Sequence, residues 1–312
     1  MLTETLPIRV IYIMGAGRSG STVLDTVLGN HSQVESVGEL TNLPKSAWIN
    51  GEYCACGERG NECPFWGKVK LNWMQRCGVK DISEYVALQS KFERFRSWPR
   101  LFRERINLSA EFQVYVAQTQ ALFEAIQAVR GKSIIVDSSK SPVRAFALSQ
   151  MSGIDLVLIH LVRDGRGVAY SLNREIKKDL AKGVQKYLAP KPIWRTALFW
   201  IITNLQSEWV CHQVVSGRSV LVRYEDFVQK PRETLLSIGA VTGVDFSQVA
   251  DALDADEEML VHHTIAGNRI RMNGKIRLQF EEVWKQELTT NKCRLFWNIA
   301  GWLLQRYSYS KY

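Results

Sequence analysis

The 312-residue chain is 46% hydrophobic and 23% charged, with 40 Lys and Arg against 31 Asp and Glu and a formal net charge of +9. That length can bury a substantial core, the composition is that of a globular chain rather than a disordered one, and the basic excess points to an anionic ligand. No run approaches the roughly 18 apolar residues of a membrane span and no signal with a cleavage site is evident, so a soluble, cytoplasmic chain is expected.

In chain order, Ile8–Met14 reads as a buried strand, followed by a Gly-rich turn and an amphipathic helix from Ser21 to Asn30. Gln33–Ser36 reads as a short second strand stopping at Gly38-Glu39. Residues 43–78 contain Cys and Trp without clear periodicity. Helices are expected over 82–96 and 110–129, the second with Val114, Ala117, Ala121, Ala125 and Val129 on one face. A strand at 133–136 and a helix at 142–151 follow, then Leu156–Val162, almost purely apolar as in a parallel sheet. Helices at 165–174 and 192–215, a strand at 219–222 and a helix at 232–242 lead to shorter helices. The alternation gives an α/β fold: a doubly wound, mostly parallel sheet with a P-loop-like cofactor site and a largely helical insertion at 43–108, all in one domain over 1–312.

In such sheets ligands sit beyond the carboxyl ends of the strands. Those ends hold Gly15–Thr22, Gly38-Glu39, Asp137–Lys140, Arg163–Ser171 and Arg223–Asp226. The first is a phosphate cradle: glycines permit the tight turn, and loop amides plus the positive end of the next helix face an anion. It departs from a P-loop NTPase, whose motif G-x-x-x-x-G-K-[ST] sends its Lys to the β/γ-phosphates. Gly15 to Gly20 keeps the spacing, yet Ser21 stands where that Lys belongs, and Arg18 is the one basic side chain of the loop.

Charge is concentrated elsewhere too. Residues 163–195 hold nine basic side chains against three acidic ones, and 259–280 hold four basic and no acidic ones. Nucleic acid would suit that charge, but no helix-turn-helix, RRM or KH signature accompanies it. A nucleotide is preferred.

Together these segments resemble the sulfotransferases that use 3′-phosphoadenosine 5′-phosphosulfate (PAPS). In that family the loop Lys is often displaced to the position of Arg18. Its second hallmark is a strand-end Arg with a Ser eight residues on, here Arg163 and Ser171 in LVRDGRGVAYS; its third is a late G-N-x-x-R loop, here Gly267-Asn268-Arg269-Ile270-Arg271. The resemblance implies that Gly17, Arg18, Ser19, Gly20, Ser21 and Thr22 bind the 5′ side of the cofactor and Arg163 and Ser171 its 3′-phosphate. It places Tyr224 near adenine, with core packing as the alternative, and closes Asn268, Arg269 and Arg271 over the site. HSQVESVGEL looks like the tyrosylprotein sulfotransferase segment carrying the catalytic base, matching Glu39, and SSKSP like its K-x-P segment, matching Lys140. Arg174 lies three residues after Ser171 rather than that branch's four, so its role transfers weakly.

The implied reaction moves a sulfuryl group from PAPS to a hydroxyl, leaving PAP. Transfer of this kind is in line and loose, so positioning and charge stabilisation dominate. Glu39 would be the general base, with Arg18 and Lys140 stabilising the leaving phosphate; no metal is required. The acceptor, whether peptide, lipid, glycan or small molecule, is not written in the sequence, nor is the oligomeric state. A P-loop kinase and a non-catalytic polyanion-binding module are the rival readings. The four cysteines Cys54, Cys56, Cys63 and Cys77 lack the C-x2-C pairing of a zinc ribbon; a local disulfide or packed thiols fit at least as well as a metal. C-x-C-G…C-P-F-W looks like segments of bacterial family members. Cys211 and Cys293 read as core. His262 and His263 read as structural or substrate-positioning, the segment 177–191 as a substrate lid or a solvated loop, and Trp284, Trp297 and Trp302 as a packed helical face. Asp137 and Ser138 read as caps for the helix that follows them.

Overall fold

The computed structural model describes residues 7–179, 187–214, 216–280 and 282–311. Five strands form its main sheet: β1 (Ile8–Met14), β2 (Val34–Gly38), β3 (Ile134–Lys140), β4 (Ile154–Val162) and β5 (Ser219–Arg223), in the order β2-β3-β1-β4-β5. Every neighbouring pair is parallel. The chain moves left from β1 to β2, returns beside β1 as β3, then crosses to β4 and β5 on the right. The carboxyl end of β1 therefore lies where the winding reverses, the place where such sheets form a crevice.

Both faces of the sheet are covered, which is why its central strands are apolar without alternation. In β1, Val10, Tyr12 and Met14 enter one core while Ile11 and Ile13 enter the other. The second core is covered by α1 (Ser21–Gly29), α9 (Tyr224–Gln229), α10 (Pro231–Thr242) and α11 (Ser247–Asp254). The first is covered by the insertion: a π-type turn of helix at Leu43–Ile49, α2 (Pro64–Cys77), α3 (Ile82–Phe92), α4 (Trp98–Ile106), then α5 (Ala110–Arg130) and α6 (Pro142–Leu148). Trp66, Trp73, Tyr85, Phe92 and Tyr115 are fully buried there. A third core joins α7 (Gly165–Leu172), α8 (Ile193–Cys211), α12 (Val283–Glu287) and α13 (Thr290–Arg306). A two-stranded hairpin, β6 (Met259–Leu260) with β7 (Lys275–Ile276), brackets the Gly267–Arg271 loop.

Several sequence expectations need correction. The helix expected over 82–96 ends at Phe92, and a separate α4 follows whose signal, broken by Trp98-Pro99, escapes a periodicity scan. In α5, Val114 is exposed and the buried stripe is Phe112, Tyr115, Thr119, Leu122 and Ile126. Burial of large rings outweighs the alanine-rich face that the spacing suggested. The cap of α6 is Ser141, whose hydroxyl accepts from the Arg144 amide, rather than Asp137 or Ser138. Cys211 and Cys293 are half-buried at the margins of their cores. Trp284 is buried and Trp302 is 53% exposed, so the three tryptophans do not share one packed face. Of the 177–191 segment, residues 180–186 lie outside the described residues; its flanks pair at Ile176 and Leu188.

On one side of β1, the neighbouring β3 and the edge strand β2 are irregular at their carboxyl ends. Tyr12 pairs with Asp137 and Met14 with Lys140, so β3 carries two residues where β1 carries one. A similar shift separates Ser36 from Gly38 in β2. Such bulges re-aim side chains at strand ends. Here Lys140 adopts a left-handed backbone, φ 67°.

Candidate active site

A cleft of about 970 Å³ opens at the carboxyl ends of the strands. Gly17, Arg18, Gly20, Ser21 and Thr22 of the first loop line it, with Glu39, Lys140, Arg163, Ser171, Tyr224, Asn268, Arg269 and Arg271. Every residue proposed from the sequence reaches this one cleft except Ser19, which lies beneath, 1% exposed, its Oγ without a hydrogen-bond partner among the described residues. Eight cationic side chains (Arg18, Lys140, Arg163, Arg174, Lys191, Arg269, Arg271, Arg277) face two carboxylates, Glu39 and Glu52. No histidine is among the described lining residues.

The loop is built for close approach. Arg18 has φ 73° and Gly20 φ 93°. A Cβ on Gly20 would stand 2.2 Å from the Tyr224 ring, so the turn closes against that tyrosine only as glycine. Gly20 is also the N-cap of α1, and no side chain among the described residues caps that helix. Its first amides are left for whatever occupies the cleft. Tyr224, expected beyond a strand end, is the first residue of α9.

Arg163, immediately after β4, donates from Nη1 to the Arg18 carbonyl at 3.1 Å and lies 4.7 Å over the Tyr224 ring. These contacts fix it beside the glycine loop, and Ser171 comes from the last turn of α7. On the other side, the Asn268 amide donates to Thr22 Oγ1 at 3.0 Å, and a Cβ on Gly267 would meet that same oxygen at 2.7 Å. The late loop thus sits directly on the start of α1. Arg271 is 3% exposed and its Nε lacks a partner among the described residues. Burial lowers the pKa of Arg18, with Glu39 opposing and Arg269 adding to the shift. Burial lowers that of Arg271 as well, Glu39 again opposing. Cations crowded this way favour an anion between them.

Glu39 forms an ion pair with Lys140, and its other oxygen accepts from Asn42 Nδ2 at 2.9 Å. Its backbone amide donates to the Ile265 carbonyl at 2.8 Å. Beneath the pair lies a buried network that the sequence did not reveal. The Arg144 guanidinium, fully buried, pairs with Glu93 and, at 3.2 Å, with Asp137. Glu93 also accepts from Thr41 Oγ1 at 2.7 Å and from Tyr115 at 2.8 Å. Asp137 accepts from the Leu40 and Ser139 amides. The network ties the end of β3, which carries Lys140, to the turn after Glu39. Asp25, buried in α1, hydrogen-bonds Ser36 of β2, and burial raises its pKa to about 8.

Of the readings left open for the cysteine region, free thiols are what the structure holds. Cys54, Cys56 and Cys63 converge with His263, their ligand atoms all within 4.8 Å of one another, while Cys77 lies apart on α2 with its thiol donating to the Trp73 carbonyl. No disulfide joins any of these cysteines. The spacing C-x-C is uninformative alone because the fourth group arrives from some 200 residues downstream.

No protein-family model and no curated protein matches the chain. Among solved structures it is similar to the sulfotransferase domain from the Synechococcus PCC 7002 olefin synthase: 18% identity, TM-score 0.49, covering 99% of this chain and 97% of that one. The sulfotransferase domain from the curacin biosynthetic pathway gives 19% identity and TM-score 0.49, over 99% of each chain. Sulfotransferase STF9 from Mycobacterium avium gives 12% and 0.49, over 98% of this chain and 79% of that one. All three are sulfotransferase structures. Among the described residues no helix is long and apolar enough to cross a membrane.

Proposed function

We propose that the protein is a sulfotransferase that moves a sulfuryl group from PAPS to a hydroxyl acceptor. The observation that carries this reading is the composition of the cleft. Eight cations surround an uncapped helix start whose loop has Ser21 in place of the NTPase lysine, and a carboxylate stands among them. The buried Ser19 Oγ and Arg271 Nε, without partners among the described residues, fit a site completed by a polyanion.

PAPS, when bound, supplies the sulfuryl group and a phosphate leaving group. In this reading the amides of Gly17–Thr22, with Ser19 beneath them, hold the 5′ side. Arg163 and Ser171 hold the 3′-phosphate, Tyr224 borders the adenine, and Asn268, Arg269 and Arg271 cover the nucleotide. Glu39 takes the proton of the acceptor hydroxyl as that oxygen bonds to sulfur, a role typically worth about 10²–10⁴-fold. Arg18 and Lys140 hold the charge that develops on the departing phosphate oxygen as its bond to sulfur breaks. In this reading Arg18 and Lys140 meet the charge on the departing phosphate, and no metal is needed for it. The pairing of Lys140 with Glu39 holds the base and the leaving-group cation side by side before substrate arrives.

Calorimetry with PAP, AMP and Mg-ATP tests the class. PAP is expected to bind most tightly; preferential Mg-ATP binding would instead indicate a kinase. Glu39→Gln and Lys140→Ala are expected to retain PAP binding while losing transfer from labelled PAPS to a library of hydroxyl acceptors. Undiminished transfer by both variants would remove these residues from the mechanism.

A further inference from the structure

We propose that Cys54, Cys56, Cys63 and His263 bind one structural zinc ion, which locks the cysteine-bearing knuckle of the insertion to the base of the Gly267–Arg271 loop.

The four ligand atoms lie within 4.8 Å of one another, close enough to share one ion. With zinc–sulfur bonds near 2.3 Å and zinc–nitrogen bonds near 2.0–2.1 Å, tetrahedral angles place sulfurs about 3.8 Å apart and sulfur and nitrogen about 3.6 Å apart. Cys56 Sγ and Cys63 Sγ are 3.6 Å apart, Cys63 Sγ and His263 Nδ1 3.3 Å, and Cys54 Sγ and His263 Nδ1 3.9 Å. A disulfide requires sulfurs about 2.05 Å apart. Pairing any two of these thiols would leave the third and the imidazole facing a bond to which they contribute nothing. Three sulfurs and one imidazole nitrogen favour zinc over hard cations such as magnesium or calcium. Four protein ligands leave no coordination position for water or substrate, the mark of a structural site.

The surroundings fix each ligand. Cys54 and Cys63 are buried and Cys56 is exposed. The Cys54 amide donates to the Glu58 carbonyl at 2.9 Å and the Gly57 amide to the Cys54 carbonyl at 3.0 Å, which folds the first two cysteines into one tight turn. Cys63 occupies the N-cap position of α2, with Pro64 as the first helical residue. The turn around Gly60 packs so closely on Ala47 that a Cβ there would lie 2.4 Å from the alanine methyl. His263 is held by Trp66, whose Nε1 donates to its carbonyl at 2.6 Å, and by the Phe65 ring at 5.2 Å. Trp66 and Phe65 belong to the same C-P-F-W segment as Cys63, so one stretch supplies a ligand and orients another.

The ion has a mechanical role. The Ala55 amide donates to the Thr264 carbonyl at 3.1 Å, and Ile265 bridges to both Cys54 and Gly38. Ile265 also accepts from the Glu39 amide. Arg271 donates from Nη2 to the Tyr53 carbonyl at 3.4 Å. Zinc at His263 therefore fastens the strand of backbone that seats Glu39 and launches the late loop. Without it, this crosslink of segments some 200 residues apart rests on a few hydrogen bonds.

The inference does not depend on the sulfotransferase reading. The test is the metal content of the full-length chain, purified without added chelator. About one zinc per chain is expected, with Cys56→Ser and His263→Asn reducing the stoichiometry and Cys77→Ser and Cys211→Ser leaving it unchanged. Replacement by cobalt(II) should give the intense visible d–d bands and the sulfur-to-cobalt charge-transfer band of a tetrahedral thiolate site, both lost in His263→Asn. Stripping zinc from the wild-type chain should increase hydrogen exchange over residues 264–271 in particular. A chain that purifies without metal and fails to take up zinc or cobalt overturns the proposal. So does a Cys56–Cys63 disulfide in the purified protein, or iron with the colour of an iron–sulfur cluster. These readouts on the wild-type chain decide the matter even if a variant fails to fold.

Discussion

Arg163→Ala separates the two ends of the proposed nucleotide. Two losses follow from the position of this side chain. The direct one is the charge-assisted hydrogen bond from guanidinium to the 3′-phosphate, worth about 1.5–3 kcal/mol, or roughly 10- to 150-fold in affinity at 1.4 kcal/mol per decade. The indirect one arises because Nη1 also braces the Arg18 carbonyl at 3.1 Å. That bond too is donated by a cation, so removing it loosens the glycine loop by up to about 1.5–3 kcal/mol, or roughly 10- to 150-fold. PAP suffers both losses, whereas AMP, lacking the 3′-phosphate, suffers only the second. The quantity to measure is therefore the ratio of PAP to AMP affinity, by calorimetry on wild type and variant. It should fall by roughly 10- to 150-fold, while the melting curve remains cooperative. The main-chain carbonyl of Arg163, which accepts from Trp200 Nε1, is untouched by the substitution. A variant that weakens PAP and AMP equally would show that Arg163 acts on the loop alone, and the placement of the 3′-phosphate would be wrong.

Two further substitutions probe the support beneath the site. Arg144→Met leaves Glu93 and Asp137 as buried carboxylates without their cation, and breaking such a pair costs about 3–5 kcal/mol. A urea-denaturation loss below about 1 kcal/mol would refute the view that this network holds the strand ends together. For pH, two buried groups act in opposite directions. Asp25, raised to about 8 by burial, stabilises the fold at low pH and loses that contribution as pH rises toward 8. His160, lowered to about 4 by burial, loses its contribution as pH falls from its ordinary range through 4. Each slope is at most about 1.4 kcal/mol per pH unit, and the two offset one another between about 4 and 6.5. Stability should therefore decline mainly between about pH 6.5 and 8, and Asp25→Asn should flatten that decline in urea midpoints taken across the range; an unchanged profile would refute the assignment.

Much of this molecule can be read from the chain itself. The Ile8–Met14 run, the glycine turn and the periodic helix after it specify a strand, an anion-holding loop and α1 by local rules alone, because each needs only near neighbours. Arg163 and Ser171 are legible for the same reason, lying on one strand end and the helix that follows it. What the chain could not disclose are relations between distant segments. The bulge that turns Lys140 toward Glu39 depends on how β3 registers against β1. Arg144, an ordinary arginine on a short helix in sequence, becomes the buried cation of Glu93 and Asp137 only once the insertion packs on β3. His263, read as structural or substrate-positioning, meets three cysteines because Ile265 bridges to Cys54 and Gly38. Local propensity and periodicity act over a few residues, whereas these contacts join segments about 50 to 200 residues apart, and only the packed sheet brings those segments within bonding distance.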